Sequence, residues 1–306
     1  MKSELTIVIP ILASSKSPIR ILNCINEISS LIEVIIVIDG DNLVEVEQTK
    51  NQFSKFKRSG IRIFSDNFRS PGLARNFGLM KSVTNQVMFC DADDIPKITE
   101  IQKLIERHKD ENYDVIIADF CLIDSVTHDK HKSVMKVLSF QTLYTLGLWR
   151  MIFKRDFISA IQFPHLKMGE DQVFFAKILN SKPRIKFDKS CVYNYYINNK
   201  DQATKNLINR KDSFLCAEYL EKEYSKSRNI KIGLLLARQI NSSLVLMFDN
   251  QLRSKELLMD NLKLLLRYPH LSLVSATISF IGKLLKKYIE IKKKLLIGIN
   301  RGKNAK

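Results

Sequence analysis

The stretch QVMFCDADDIP, residues 86–96, changes character at its midpoint. Four of its first five residues are apolar, a short run that reads as a buried strand. Asp91, Asp93 and Asp94 then crowd three carboxylates into four positions, where like charges repel. Such a strand end reads as a solvated turn with a helix cap ahead of IPKITEIQKLI, since Asp is common in turns and caps, or as a ligand site. In an extended segment residues i and i+2 point to one side, so Asp91 and Asp93 can offer two hard oxygens together. That suits Mg²⁺ or Mn²⁺, which often bind few protein carboxylates plus substrate phosphates. The aspartate-nucleophile phosphatases also place D-x-D after an apolar strand. Their pattern sits early in the chain with Thr or Val soon after, and neither condition holds here.

Upstream, the pattern alternates. LTIVIP (5–10) and VIIVID (34–39) are β-branched runs that read as buried strands, the second ending on Asp39. Helical spacing over 17–31 (Ile21, Ile25, Ile28) and over 43–57 separates these from IRIFS (61–65), and PGLARNFGLMKS (71–82) opens a further helix with Pro and Gly. Beyond the acids come a helix over 97–109 and a strand, DVIIADF, at 114–120. Strands separated by helices predict an α/β fold with a mostly parallel sheet and helices on both faces. In such sheets ligands bind beyond the carboxyl ends of the strands, so Asp39 and the 91–94 acids are expected on one edge.

The middle of the chain differs. FQTLYTLGLWRMIFKRDFISAIQFP (140–164) reads as helix with an extended end, GEDQVFFAKILNS (169–181) as helix, and KSCVYNYYINN (189–199) as a strand pair or a strand and loop. From about 206 only helical periodicity remains, which predicts two parts, 1–205 and a helical 206–306.

Lys and Arg outnumber Asp and Glu by 49 to 32, a formal net charge of +17 that calls for an anionic partner or reflects a Lys-rich composition. The basic residues are dispersed except in the tail, without the basic face and aromatic platforms of a nucleic-acid binder, so no nucleic acid is expected. Five scattered cysteines without a CxxC pair predict neither a disulfide framework nor a zinc site, and a reducing compartment. The start, MKSELTIVIP, is not a signal peptide, and LSLVSATISFIG (271–282) is too short to span a bilayer, which needs roughly 20 residues.

Several segments, in order, resemble the family 2 glycosyltransferases: LTIVIP, IIVIDG, SPGLARNFGL, MFCDADD, FPHLKMGEDQVFF and VYNYYINNKDQAT, which together cover about 1–205. The resemblance implies the GT-A nucleotide-diphospho-sugar transferase fold with a C-terminal helical extension, and an inverting, metal-dependent enzyme using Mg²⁺ or Mn²⁺. It implies that Pro10 lines the base pocket, Asp39 contacts the base, Asp91 lies near ribose and diphosphate, and Asp93 holds the metal. Arg75 and Asn76 would lie beside the donor, and Asp171 would be the catalytic base. Where the family writes D-D-G-S after its second strand, this chain has Asp39-Gly40-Asp41-Asn42. The residues alone leave rivals: Arg75 on a helix that merely packs on the sheet, and Glu170 and Asp171 in a helix's first turn, where carboxylates favour the dipole. Trp149 and Arg150 read as core and surface, Tyr193, Tyr195 and Tyr196 as core and wall, and the five histidines show no ligand spacing.

The expected partners are a nucleotide-sugar donor, a saccharide or lipid-linked saccharide acceptor, and an anionic membrane surface for a basic amphipathic helix after residue 270. The expected location is cytoplasmic, peripheral on the inner face of the plasma membrane. Nucleotidyl transfer is the nearest alternative, but PILASSKSPIR lacks the Gly-rich loop that chemistry uses after its first strand.

Overall fold

The computed structural model describes residues 4–17, 19–24, 32–54, 56, 60–132, 146–198, 212–247, 263–264, 266–271 and 273. Two compact units divide the chain, Met1–Leu235 and Leu236–Lys306. The expected boundary at 206, the region 133–145 and the basic tail after 273 lie outside the described residues.

The first unit is built on one sheet. Strands β1 (Leu5–Leu12) and β2 (Ile32–Asp39) are β-branched and buried on both faces, as a central parallel pair requires. Helix α1 (Leu43–Ser54) follows, then β3 (Ile61–Asp66), parallel to β2. Helix α2 (Pro71–Lys81) carries the chain back across the sheet to β4 (Gln86–Phe89), which pairs with the other side of β1. The order β3-β2-β1-β4 therefore reverses direction at β1. This is the topological switch where such sheets open a crevice, and the ends of β1, β2 and β4 border it.

The second half is mixed. After β5 (Ile95–Pro96) and α3 (Ile98–His108), β6 (Val115–Asp124) joins β7 (Lys130–Lys132) and β8 (Met151–Lys154), each antiparallel to it. Strand β8 also pairs antiparallel with β4 and so closes the two halves into one sheet. Of the helix expected over 140–164, the described residues show a 3-10 turn at Leu148–Arg150 running into β8 and then one helical turn, Arg155–Ile158. Met151, Ile152 and Phe153 are wholly buried between β4 and β6, and that tertiary slot overrides local propensity. Over 17–31 the described helical residues form only a 3-10 turn, Arg20–Asn23. Of the two readings of 189–199, the strand and loop agrees with one long strand, β9 (Ile185–Ile197), parallel to β6 and antiparallel to β5. Helices α4 (Glu170–Asn180), α5 (Asp212–Ser227) and α6 (Ile230–Met247) follow. Among the described residues no helix is long and apolar enough to cross a membrane.

One cysteine expectation is corrected. Cys121 on β6 and Cys191 on β9 are joined as a disulfide, although 70 residues separate them in sequence. The pairing of β6 with β9 brings their Cα atoms to 6.3 Å, a proximity that no sequence spacing announces.

Candidate active site

Asp39 and Asp91 stand at the carboxyl ends of β2 and β4, on either side of β1. Asp39 is buried, and its Oδ1 accepts the backbone N–H groups of Phe68 (2.7 Å) and Arg69 (2.9 Å). One carboxylate oxygen thus shapes the loop after β3, where Arg69 takes a left-handed φ of 56°. Pro10 lies in β1 opposite Val37 and is half-buried.

The acid loop is held from two sides. The Tyr193 hydroxyl accepts the Asp91 N–H at 3.0 Å, and the Tyr196 N–H donates to Asp94 Oδ1 at 2.7 Å. Arg20 Nη1 also donates to the Asp93 carbonyl at 2.9 Å, with its guanidinium 4.3 Å from the Tyr196 ring centroid. Burial, then the charges of Asp91 and Asp93, push the Asp94 carboxyl up to about 9, and its Oδ2 is buried without a hydrogen-bond partner. Among the described residues, no three His, Cys, Asp or Glu side chains form a closed metal cage.

Asp171 arrives from the other side, on the first turn of α4. Gly169 caps this helix with φ 88°, a left-handed conformation that glycine adopts without a Cβ penalty. A Cβ there would also lie 2.7 Å from Cys216 Sγ on α5. Asn180 Nδ2 donates to Glu223 Oε2 at 2.8 Å, so α5 braces α4 at both ends. Asp171 Oδ1 accepts the Gln172 N–H at 2.8 Å. Burial, then the charges of Asp94, Asp91, Asp93 and Asp171, raise the pKa of the Tyr195 hydroxyl. The direct link between the acid loop and the start of α4 is Arg75, which bonds Asp91 and Glu170.

Helix α2 brackets the two sides. Ser70 Oγ donates to the Leu166 carbonyl at 2.7 Å. A Cβ on Gly72 would lie 2.9 Å from both Phe163 Cβ and the Pro164 carbonyl oxygen, so only glycine lets the 163–170 segment approach. Asn76 trades two hydrogen bonds with the Phe163 backbone, 3.0 Å from Nδ2 and 2.9 Å to Oδ1. Arg75 is 9% exposed and donates to Asp91 Oδ1 at 2.8 Å and Glu170 Oε1 at 2.6 Å. Burial opposes its charge, and the two carboxylates more than offset that, holding the guanidinium pKa above its ordinary value. The A-R-N stretch thus ties the acid loop to the residue before Asp171.

Sequence reasoning passed over Glu170, Arg20 and Tyr193 as site residues. The ion pair of Arg75 with Glu170 spans 95 residues and has no local signal. Trp149 is half-buried, stacked against Tyr193 (4.6 Å) and Tyr195 (4.9 Å). Arg150 is not on the surface: it is wholly buried beside Asp119 and over the Phe120 ring, and burial lowers its pKa to about 10.

Comparison with known proteins places this arrangement. An uncharacterized glycosyltransferase of Haemophilus influenzae is 26% identical over 163 residues, 52% of this chain and 64% of its own length. The cholesterol galactosyltransferase of Borreliella burgdorferi is 25% identical over 189 residues, 55% of this chain and 51% of its own. The chain thus spans less than two thirds of the length of the curated relatives it matches. Among solved structures, S. aureus TarS 1–349 in complex with UDP-GlcNAc superposes with a TM-score of 0.59 at 18% identity, covering 79% of this chain and 73% of that one. The mannosyltransferase PcManGT of Pyrobaculum calidifontis, in complex with GDP-Man and Mn²⁺, superposes with a TM-score of 0.53 at 14% identity, covering 93% and 81%. Both share the fold. The glycosyl transferase family 2 pattern matches residues 6–173, more than half of the chain. The chain therefore belongs to glycosyl transferase family 2 and has the GT-A fold.

Proposed function

We propose that this chain is a glycosyltransferase that moves a sugar from a nucleoside-diphosphate sugar to an acceptor hydroxyl with inversion, and that Asp171 is its base. The observation that supports the reading is the bridge of Arg75 from Asp91, beyond the strand ends at the switch of the sheet, to Glu170, the residue before Asp171. TarS is in complex with UDP-GlcNAc and PcManGT with GDP-Man and Mn²⁺, which supports a nucleotide-sugar donor for this chain too.

Pro10 and Asp39 border the base pocket. Asp39 Oδ1 is committed to the Phe68 and Arg69 amides, which leaves Oδ2 as the oxygen that would meet the base. Asp93, with Asp91, would hold Mg²⁺ or Mn²⁺, the two carboxylates following the end of β4. Such an ion supplies Lewis-acid stabilisation of the departing diphosphate when bound. The open acid set suits a cation that completes its coordination with phosphate oxygens and water. Asp171 takes the proton of the acceptor hydroxyl while that oxygen attacks the anomeric carbon from the face opposite the diphosphate, which gives inversion. A base so placed is worth about 10²–10⁴-fold in rate. Arg75 acts through Asp91 and Glu170, which it holds in register, and Asn76 holds the backbone of the same segment.

The acceptor is a saccharide or lipid-linked saccharide in surface polysaccharide or glycolipid assembly. A lipid acceptor agrees with the relative named a cholesterol galactosyltransferase. Residues 1–205 form the catalytic part. The basic region within 206–306 docks on the anionic cytoplasmic face of the plasma membrane, in keeping with the net charge of +17.

The test is donor binding and turnover across a panel of nucleotide-sugars with Mn²⁺, with and without chelator, in wild type and Asp171→Asn. The expected result is one preferred donor, turnover lost on chelation, and a variant that binds donor as wild type does but turns over at least 100-fold more slowly. Near-wild-type turnover in Asp171→Asn removes the base assignment, and indifference to chelation removes the metal.

A further inference from the structure

Outside the acid site, one cluster joins two sulfurs and a cation. Lys97 Nζ lies 3.1 Å from Cys191 Sγ and 3.6 Å from Cys121 Sγ. The lysine is fixed there by its own backbone, whose N–H donates to the Val192 carbonyl at 2.8 Å, one residue beyond Cys191. The two Cα atoms stand 6.3 Å apart, within the span a disulfide bridges. Cys191 pairs with Asp119, where the register of β6 against β9 shifts, and Cys121 lies two residues beyond Asp119.

We infer that Cys191, Cys121 and Lys97 form an oxidisable dithiol site, a modification site for hydroperoxides. The inference does not depend on the proposed sugar chemistry. In the reduced chain the Lys97 ammonium favours thiolate over thiol, and thiolate is the nucleophile. Cys191 is half-buried and Cys121 only 4% exposed, so Cys191 meets the oxidant first and Cys121 resolves. The Cys191 thiolate attacks one peroxide oxygen; the S–O bond forms, the O–O bond breaks, and the departing oxygen takes from solvent the proton the thiol had released, leaving as water or an alcohol. Cys121 sulfur then attacks Cys191 sulfur; the S–S bond forms, the S–O bond breaks, and hydroxide leaves with the Cys121 proton as water. The two sulfurs lose two electrons and the hydroperoxide gains them. An external dithiol reverses the change by exchange.

The remaining cysteines make the contrast. Cys24, Cys90 and Cys216 are buried, and burial above all pushes the Cys90 thiol pKa well up, which makes it inert. The reactive pair also sits beside the acid loop: Cys191 is two residues from Tyr193, whose hydroxyl accepts the Asp91 N–H.

The experiment uses the full chain, reduced with a dithiol, freed of reductant, treated with hydrogen peroxide at pH 7, alkylated, and mapped by peptide mass spectrometry over time. The expected result is a Cys121–Cys191 linked peptide that forms ahead of any oxidation of Cys24, Cys90 or Cys216. Lys97→Met slows its formation about threefold, the gain in thiolate fraction less the loss in nucleophilicity. Lys97→Arg keeps the charge and the rate, and Cys121→Ser accumulates Cys191 sulfenic acid that a cyclic diketone traps. Oxidation of the other cysteines first, or equal rates in wild type, Lys97→Met and Lys97→Arg, overturns the inference.

Discussion

Arg75 Nη1 and Glu170 Oε1 meet at 2.6 Å, with the arginine side chain 11% and the glutamate side chain 9% exposed. The same guanidinium reaches Asp91 Oδ1 at 2.8 Å. One buried cation therefore sits between the acid loop after β4 and the helix that begins one residue before Asp171.

Removing that cation leaves two carboxylates facing each other in a poorly solvated place. Arg75→Met is expected to cost about 3–5 kcal/mol and lower Tm on the order of 10 °C. Combined with Glu170→Gln in a double-mutant cycle by denaturant unfolding, it should show non-additivity of about 0.5–3 kcal/mol. Strict additivity means the pair contributes nothing of its own.

Asn76 separates two readings of its motif. Asn76→Asp replaces the amide donor that serves the Phe163 carbonyl with an acceptor. The expected outcome is a stability loss of about 1–3 kcal/mol with donor KM little changed. A raised donor KM at constant Tm indicates direct donor contact instead.

Gly72 governs how closely the base segment approaches α2. Gly72→Ala puts a methyl 2.9 Å from the Pro164 carbonyl oxygen and must displace the segment that leads to Asp171. It should lower kcat, by up to about 100-fold for a displacement near 1 Å, more than it changes donor affinity. Steady-state kinetics with direct donor titration checks this; an unchanged kcat would show that the segment relaxes freely.

Acid sensitivity has a local source away from the site. Asp188 Oδ2 accepts Arg107 Nη1 at 2.7 Å and bonds His108 Nε2 at 2.8 Å, and Oδ1 accepts the Ser190 N–H at 2.7 Å. Burial works to raise its pKa, but the bonds from His108, Ser190 and Arg107 more than offset that and hold it well below the usual carboxylate range. The unfolded aspartate titrates near 3.9, so below that pH the unfolded chain takes up the proton first. The contribution is fully present above about pH 5 and is lost as pH falls toward the folded value. Asp188→Asn should cost about 1–3 kcal/mol at pH 7 and flatten the fall of Tm between about pH 5 and 3. Parallel Tm curves in the two proteins would rule Asp188 out as the source.

What the sequence by itself determined is local. Runs such as LTIVIP and VIIVID specify strands because β-branched residues buried on both faces suit little else, and their alternation with helices specifies an α/β sheet with Asp39 and Asp91 at strand ends. The family motifs marked Asp93 and Asp171 because chemistry-bearing residues keep their spacing inside short segments. What only the tertiary structure decided is long-range. It turned Met151–Lys154 into a strand because the slot between β4 and β6 had to be filled. It joined Cys121 to Cys191, set Tyr193 under Asp91, and committed Arg75 to Asp91 and Glu170. Each of these depends on which strands pair and how closely a helix approaches a loop. Those distances arise from packing the whole chain and leave no mark on any window of its sequence.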